Sequence, residues 1–247
     1  MNYKKVTNEY YSKWLGINPE MLDSTGVLFV ESSERDKRQE GYSKPFGVYT
    51  LVIDGLIVVS YSADLSDVIK LARNRFCSRM TSIEVANVIE GVFSAPVTSS
   101  IKFYYDSFPV NIDIPDVVKL QESDFPSFLE FYSMRKPNAK DDGWLEECFY
   151  VICTNDLVFG VFINERLVSV SEAPVMPYIN NWVQEVGINT LTNYRGKGYA
   201  KAVTLSCIKS IIDKGKCPMW ATLSDNIASE QLAYKVGFRK YAEVITL

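Results

Sequence analysis

The sequence predicts a mixed α/β fold in two parts: a smaller α/β N-terminal domain and a C-terminal α+β domain built on a mixed sheet. Three observations carry this. From about residue 115 onward, strand-like and helix-like runs alternate, which calls for a sheet with some parallel pairing and helices packed on it. Earlier, "FGVYTLVIDGLIVVSYS" places two β-rich runs about a central Asp54-Gly55, a hairpin signal, and two helix-spaced runs follow. Between the two parts, prolines 109 and 115 bracket a short extended piece. The boundary is therefore set near residue 112, giving domains 1–112 and 113–247.

Taken in order, "MNYKKVTNEYYSKWLGINPE" lacks an uninterrupted apolar run, so a signal peptide is not expected. No stretch has the length of a membrane span, and a cytoplasmic location is the expectation. The polar run "ESSERDKRQEGYSKP" (31–45) reads as an exposed loop. After the hairpin, "SDVIKLARNRF" and "TSIEVANVIEGVF" have helical spacing, with Ser or Thr near each start. In the second part "DVVKLQ" reads as a strand and "ESDFPSFLEFYSM" as a helix. "CFYVICT", "DLVFGVFIN" and "RLVSVSEAP" read as strands, the last two joined by the turn "NER". "WVQEVGINTL" reads as one further strand and 198–214 as a helix. "MWATLS" is a strand, "NIASEQLAYKV" a helix ended by Gly237, and "KYAEVITL" the last strand.

Composition excludes several classes of function. The net charge of −4 supplies no basic field for nucleic acid or an acidic membrane surface. The chain has no histidine, which removes a His-based zinc site, a Ser-His-Asp triad and a Cys-His dyad. Its five cysteines form no CxxC pair, and Cys153 and Cys207 sit in apolar runs, so they read as buried free thiols rather than metal ligands.

Chemistry concentrates in "NTLTNYRGKGYAKAV" (189–203), where a strand gives way to a helix through two glycines flanked by Arg195 and Lys197. The first turn of a helix leaves its N–H groups unpaired and carries partial positive charge. Glycines remove the Cβ atoms that would block an incoming group, and the two cations add charge, so the stretch suits phosphate oxygens. A tight β–α turn that merely needs glycine is the plainer alternative. It is not a Walker loop, since G-x-x-x-x-G-K-[ST] is absent. Nor is it a Rossmann fingerprint, which would need glycine where Lys201 stands.

Arg195-Gly196-Lys197-Gly198-Tyr199-Ala200 fits R-x-x-G-x-A, and "WATLSDNIASEQLAYKVGF" supplies a strand, Asn226, a helix and Gly237-Phe238 downstream. Together they resemble the acyl-CoA loop and following elements of the GNAT superfamily of N-acyltransferases, over a little more than half the chain. The likeness is to bacterial acetyltransferases with an extra N-terminal region.

The resemblance implies acetyl-CoA as acyl donor without a metal, and direct transfer to the amine of a small molecule or peptide. It implies that "VQEVGINTL" splays from its parallel neighbour "MWATLS", with the pantetheine arm pairing near Thr190 and Leu191. The pyrophosphate would rest on the N–H groups of residues 195 to 200, and Asn226 and Ser229 would approach the pantetheine or CoA end. Asn226 is equally readable as a helix cap. Glu185 is the base candidate, with a solvated strand edge or a structural hydrogen bond as the alternative. Glu172 and Glu185 could draw in a cationic amine, and "FLEFYSM" and "CFYVI" could wall its pocket. The usual acid tyrosine would fall at Ala233, and Tyr234 is one residue late, about 100° around the helix. That displacement keeps a second function open, a domain that binds CoA as a sensor without turnover. A homodimer is also left open.

Overall fold

A computed structural model describes residues 1–37, 44–107, 116–136, 143–173 and 182–247. The expected boundary at residue 112 lies outside the described residues. Strands from both sides of it share one seven-stranded sheet.

The N-terminal part opens with helix α1 (Tyr3–Leu15), capped by the Asn2 side chain, which accepts from the Lys5 N–H at 3.0 Å. Strand β1 (Gly26–Glu31) lies parallel to β3 (Leu56–Tyr61), which forms the expected hairpin with β2 (Val48–Ile53) through Asp54-Gly55. Helices α2 (Ser66–Ala72) and α3 (Ser82–Phe93) follow, the latter started by a reciprocal Thr81–Glu84 capping box. Strand β4 (Thr98–Tyr105) completes this part.

The C-terminal part contains β5 (Val118–Lys119), α4 (Phe125–Arg135), α5 (Trp144–Thr154), β6 (Val158–Ile163), β7 (Arg166–Glu172), β8 (Val183–Glu185) and β9 (Gly187–Thr190). Then come α6 (Tyr199–Asp213), β10 (Cys217–Leu223), α7 (Ile227–Lys235) and β11 (Phe238–Thr246). The large sheet runs β1-β3-β2-β11-β4-β10-β8, and a second sheet runs β5-β6-β7-β9. Because β4 lies between β10 and β11 while β2 flanks β11, the two parts of the chain are joined strand to strand. Tyr10, Tyr11 and Trp14 of α1 pack on one face of this shared sheet, against Leu51, Met219 and Val244.

Three expectations need correction. Residues 148–154, read as a strand, belong to α5: Leu145, Phe149 and Ile152 are buried at spacings of four and three while Trp144, Tyr150 and Val151 face out, a helical period. "WVQEVGINTL" is two strands, because the chain changes sheets at Val186. β8 pairs parallel with β10, and β9 pairs antiparallel with β7. In the polar run after residue 31, Arg35 is buried rather than exposed. Its guanidinium lies 3.9 Å from the Trp14 ring centroid and donates to the Trp14 carbonyl at 2.6 Å. Residues 38–43 of that run are outside the described residues.

Candidate active site

The change of sheets at Val186 opens a V in the structure. On one side Val186 N–H still bonds Met219 O at 3.0 Å, continuing the β8–β10 ladder. From Gly187 onward the chain pairs instead with β7, so the far half of β10 has no neighbour on that edge from this strand. Leu191 N–H is bonded to Val168 O at 2.9 Å. Antiparallel ladders alternate, so the main-chain groups of Ile188 and Thr190 turn the other way, into the V. Thr190 O is met there by Arg195 Nε at 3.3 Å, which leaves the Thr190 N–H and both groups of Ile188 for a ligand edge. Leu191 is spent on the sheet and on a turn to Tyr194, so of the two expected pairing residues only Thr190 faces the gap.

Past a short 3-10 turn, the glycine stretch stands at the start of α6. Arg195, Gly196, Lys197 and Gly198 are exposed, and Tyr199 and Ala200 are partly so. Gly196 and Gly198 have φ of 76° and 86°, and a Cβ at either would meet no heavy atom within 4 Å. Their need for glycine is thus conformational, and the space before them is open. Gly198 caps α6 without a side-chain hydrogen bond, and no acid stands in the first turn. The first turn's N–H groups therefore face an uncovered, cation-flanked space. The open positions, the glycines and the cations fit the diphosphate of a CoA thioester.

A cavity of about 300 Å³ occupies the V, lined among others by Glu185, Gly187, Ile188, Trp220, Asn226 and Ser229. Asn226 is also the cap of α7, its Oδ1 accepting from Ser229 N–H at 3.2 Å. Ser229 Oγ in turn accepts from Trp220 Nε1 at 3.2 Å. A larger cavity, about 1070 Å³, adjoins it, and both are lined by Glu185 and the β10 stretch Trp220 to Leu223. Its walls take Phe128 and Tyr132 from α4, and Cys148, Phe149 and Val151 from α5. Residues the sequence did not single out also wall it: Tyr10, Tyr11 and Trp14 of α1, Phe46, Tyr49 and Lys102.

The charges in this space are desolvated. Burial raises the Glu185 carboxyl above the usual range, partly countered by the Lys102 ammonium. Burial likewise raises Glu172, countered by Arg135 and Lys136, and lowers Lys102, countered by Glu185. Glu185 is no solvated strand edge, since it is half-buried at the meeting of the two cavities. Tyr234 stands apart. Its hydroxyl donates to Glu230 Oε1 at 3.1 Å and its ring packs edge-on against Phe103. The buried thiols Cys207 and Cys217 are pushed up to about 12 by desolvation, which keeps them protonated and poor nucleophiles.

The strand that leaves one sheet for another and the open glycine turn both fall inside a stretch that matches a known family. Residues 155–246 match the family model for GNAT acetyltransferase. Among solved structures, the chain is similar to an acetyltransferase of the GNAT family from Colwellia psychrerythraea, at 15% identity and a TM-score of 0.55 over 76% of this chain and 75% of that one. A GNAT-family protein from Novosphingobium aromaticivorans is 24% identical, with a TM-score of 0.48 over 61% of this chain and 63% of that one. The Colwellia likeness bears on the fold alone. No curated protein matches the sequence. Among the described residues, no helix is long and apolar enough to cross a membrane.

Proposed function

We propose that the chain transfers the acetyl group of acetyl-CoA directly to the amine of a small molecule or peptide. The observation that carries this is the meeting of the two cavities at Glu185 and residues 220–223, with the open glycine turn beyond β9. Arg195, Gly196, Lys197, Gly198, Tyr199 and Ala200 hold the diphosphate, by main-chain N–H groups and two cations. The β9 edge at Ile188 and Thr190, with Asn226 and Ser229 across the V, holds the pantetheine arm. The larger cavity takes the acceptor.

Acetyl-CoA supplies an activated acyl carbon, which only an uncharged amine can attack. An alkyl amine is mostly protonated near neutral pH, so a base must remove the proton. Glu185, which lines both cavities, takes that role, and its raised affinity for protons makes it a stronger base than an exposed glutamate. Residues 1–112 join the GNAT domain, 113–247, as part of the acceptor wall through Tyr10, Tyr11, Trp14 and Tyr49.

Tyr234, turned to Glu230 and away from both cavities, favours a second reading in which the domain binds CoA without turnover. Release of free thiol from acetyl-CoA, measured with a panel of amino acids, polyamines, aminoglycosides and short peptides, separates the two. Acceptor-dependent thiol release is expected. Binding of acetyl-CoA in calorimetry without release for any acceptor class selects the sensor, and absence of binding removes both readings.

A further inference from the structure

The floor of the larger cavity is fixed by strand register, and it sets a cation and a carboxylate on one face. Lys102 on β4 stands opposite Ala221 of β10 on one side and Ala242 of β11 on the other. Glu185 on β8 stands opposite Met219 of β10. Opposed residues share a face of a sheet, and so do residues two apart on one strand, so Lys102 and Glu185 rise from the same face. Their Cα atoms are roughly 12 Å apart, two strand spacings across and two residues along. Both side chains line the larger cavity, as does Ala221, and each feels the charge of the other.

Both groups are desolvated and each feels the other's charge, yet among the described residues neither side chain takes part in a hydrogen bond or an ion pair. The other charges facing this space are Glu172, opposed by Arg135 and Lys136, and Glu147 on the α5 wall. A purely cationic acceptor would meet Lys102 as a repelling charge in a poorly solvated place, which is costly. A purely anionic one would meet Glu185 the same way. One ligand chemistry satisfies both.

We propose that the acceptor is a zwitterion of the α-amino-acid type with an aromatic or apolar body: its ammonium meets Glu185, its carboxylate meets Lys102. The aromatic wall of Tyr10, Tyr11, Trp14 and Phe46 receives the body. This rests on the acetyl-transfer reading of the same site and names its substrate class. It also gives the N-terminal part a task, since Lys102 and that wall both come from residues before 108.

The test offers L-phenylalanine and L-tryptophan beside phenethylamine and tryptamine, the same bodies without the carboxylate, to the full chain with acetyl-CoA. The native chain should prefer each amino acid to its amine by about tenfold or more in kcat/KM. Lys102→Met should abolish that preference by lowering the amino-acid rate and raising that of the amines, and Lys102→Arg should restore it. Retained acetyl-CoA binding in calorimetry shows that the variants are folded. Equal or faster turnover of the amines by the native chain, or a preference that survives Lys102→Met, overturns the proposal. Acetyl-CoA binding with neither turnover nor calorimetric binding of the amino acids overturns it alone, whereas loss of acetyl-CoA binding by the native chain removes the transfer reading and this proposal with it.

Discussion

Gly198→Glu puts a carboxylate where the diphosphate is expected to rest. The backbone there has φ of 86°, and a Cβ would meet nothing within 4 Å, so the side chain enters open space rather than the core. A non-glycine residue in this left-handed region costs about 1–2 kcal/mol of fold stability. An acid at a helix N-terminus returns about 0.3–1 kcal/mol of that. The variant should therefore fold, with a melting point only a few degrees lower.

Binding should suffer more. At about 5 Å, with an effective dielectric constant of roughly 20–80, the new charge repels each unit of phosphate charge by about 1–3 kcal/mol. That corresponds to roughly 5- to 150-fold weaker binding per unit charge. Acetyl-CoA at a hundred times its Kd stabilises the native chain by about 2.7 kcal/mol. For a chain of this length that raises the melting point by roughly 5–10 °C. Gly198→Glu should lose nearly all of this rise, and Gly198→Ala, with the same backbone strain and no charge, should keep most of it. A full ligand-induced shift in the glutamate variant refutes the diphosphate cradle. An equal loss in the alanine variant shows that strain, not charge, set the result.

Other expectations follow from the same site and its supports. Glu185→Gln should lower kcat by about 10²–10⁴ and flatten the acid limb of the pH–rate profile, in steady-state assays across pH. Because the folded-state affinity of Glu185 for its proton is raised, the stability it contributes is complete below the ordinary glutamate range near ~4.3 and is lost as pH rises through its folded-state value. The glutamine variant should thus melt higher than the native chain at neutral pH and no higher at pH 4. Gly237→Ala should destabilise by about 2 kcal/mol or more in urea melts, because φ is 104° and a Cβ would run into the Ser107 carbonyl oxygen. Under native conditions a thiol alkylating reagent should mark Cys77 and Cys148 and leave Cys207 and Cys217 untouched, as read by mass spectrometry.

What the sequence by itself determined is what backbone geometry and local period enforce. The Asp54-Gly55 hairpin, the Thr81–Glu84 cap, and the glycines at 196, 198 and 237 were legible because each answers a demand made within a few residues. The glycine turn before α6 was readable for the same reason: a helix N-terminus with bare glycines and two cations is a local object. Tertiary structure decided the rest. "CFYVICT" suits a buried strand or about two turns of a buried helix equally well, and the partners Phe128 and Phe125 settled it as helix. The change of sheets at Val186 depends on β7 and β10 competing for one strand, which no window of that strand reveals. Arg35 sits in the most polar run of the chain, yet Trp14, 21 residues earlier, buries it. Lys102, Trp14 and Glu185 are scattered through the sequence and carry no shared motif. They meet in one cavity only because β4 is inserted between β10 and β11, and long-range pairing of that kind is written in no single segment.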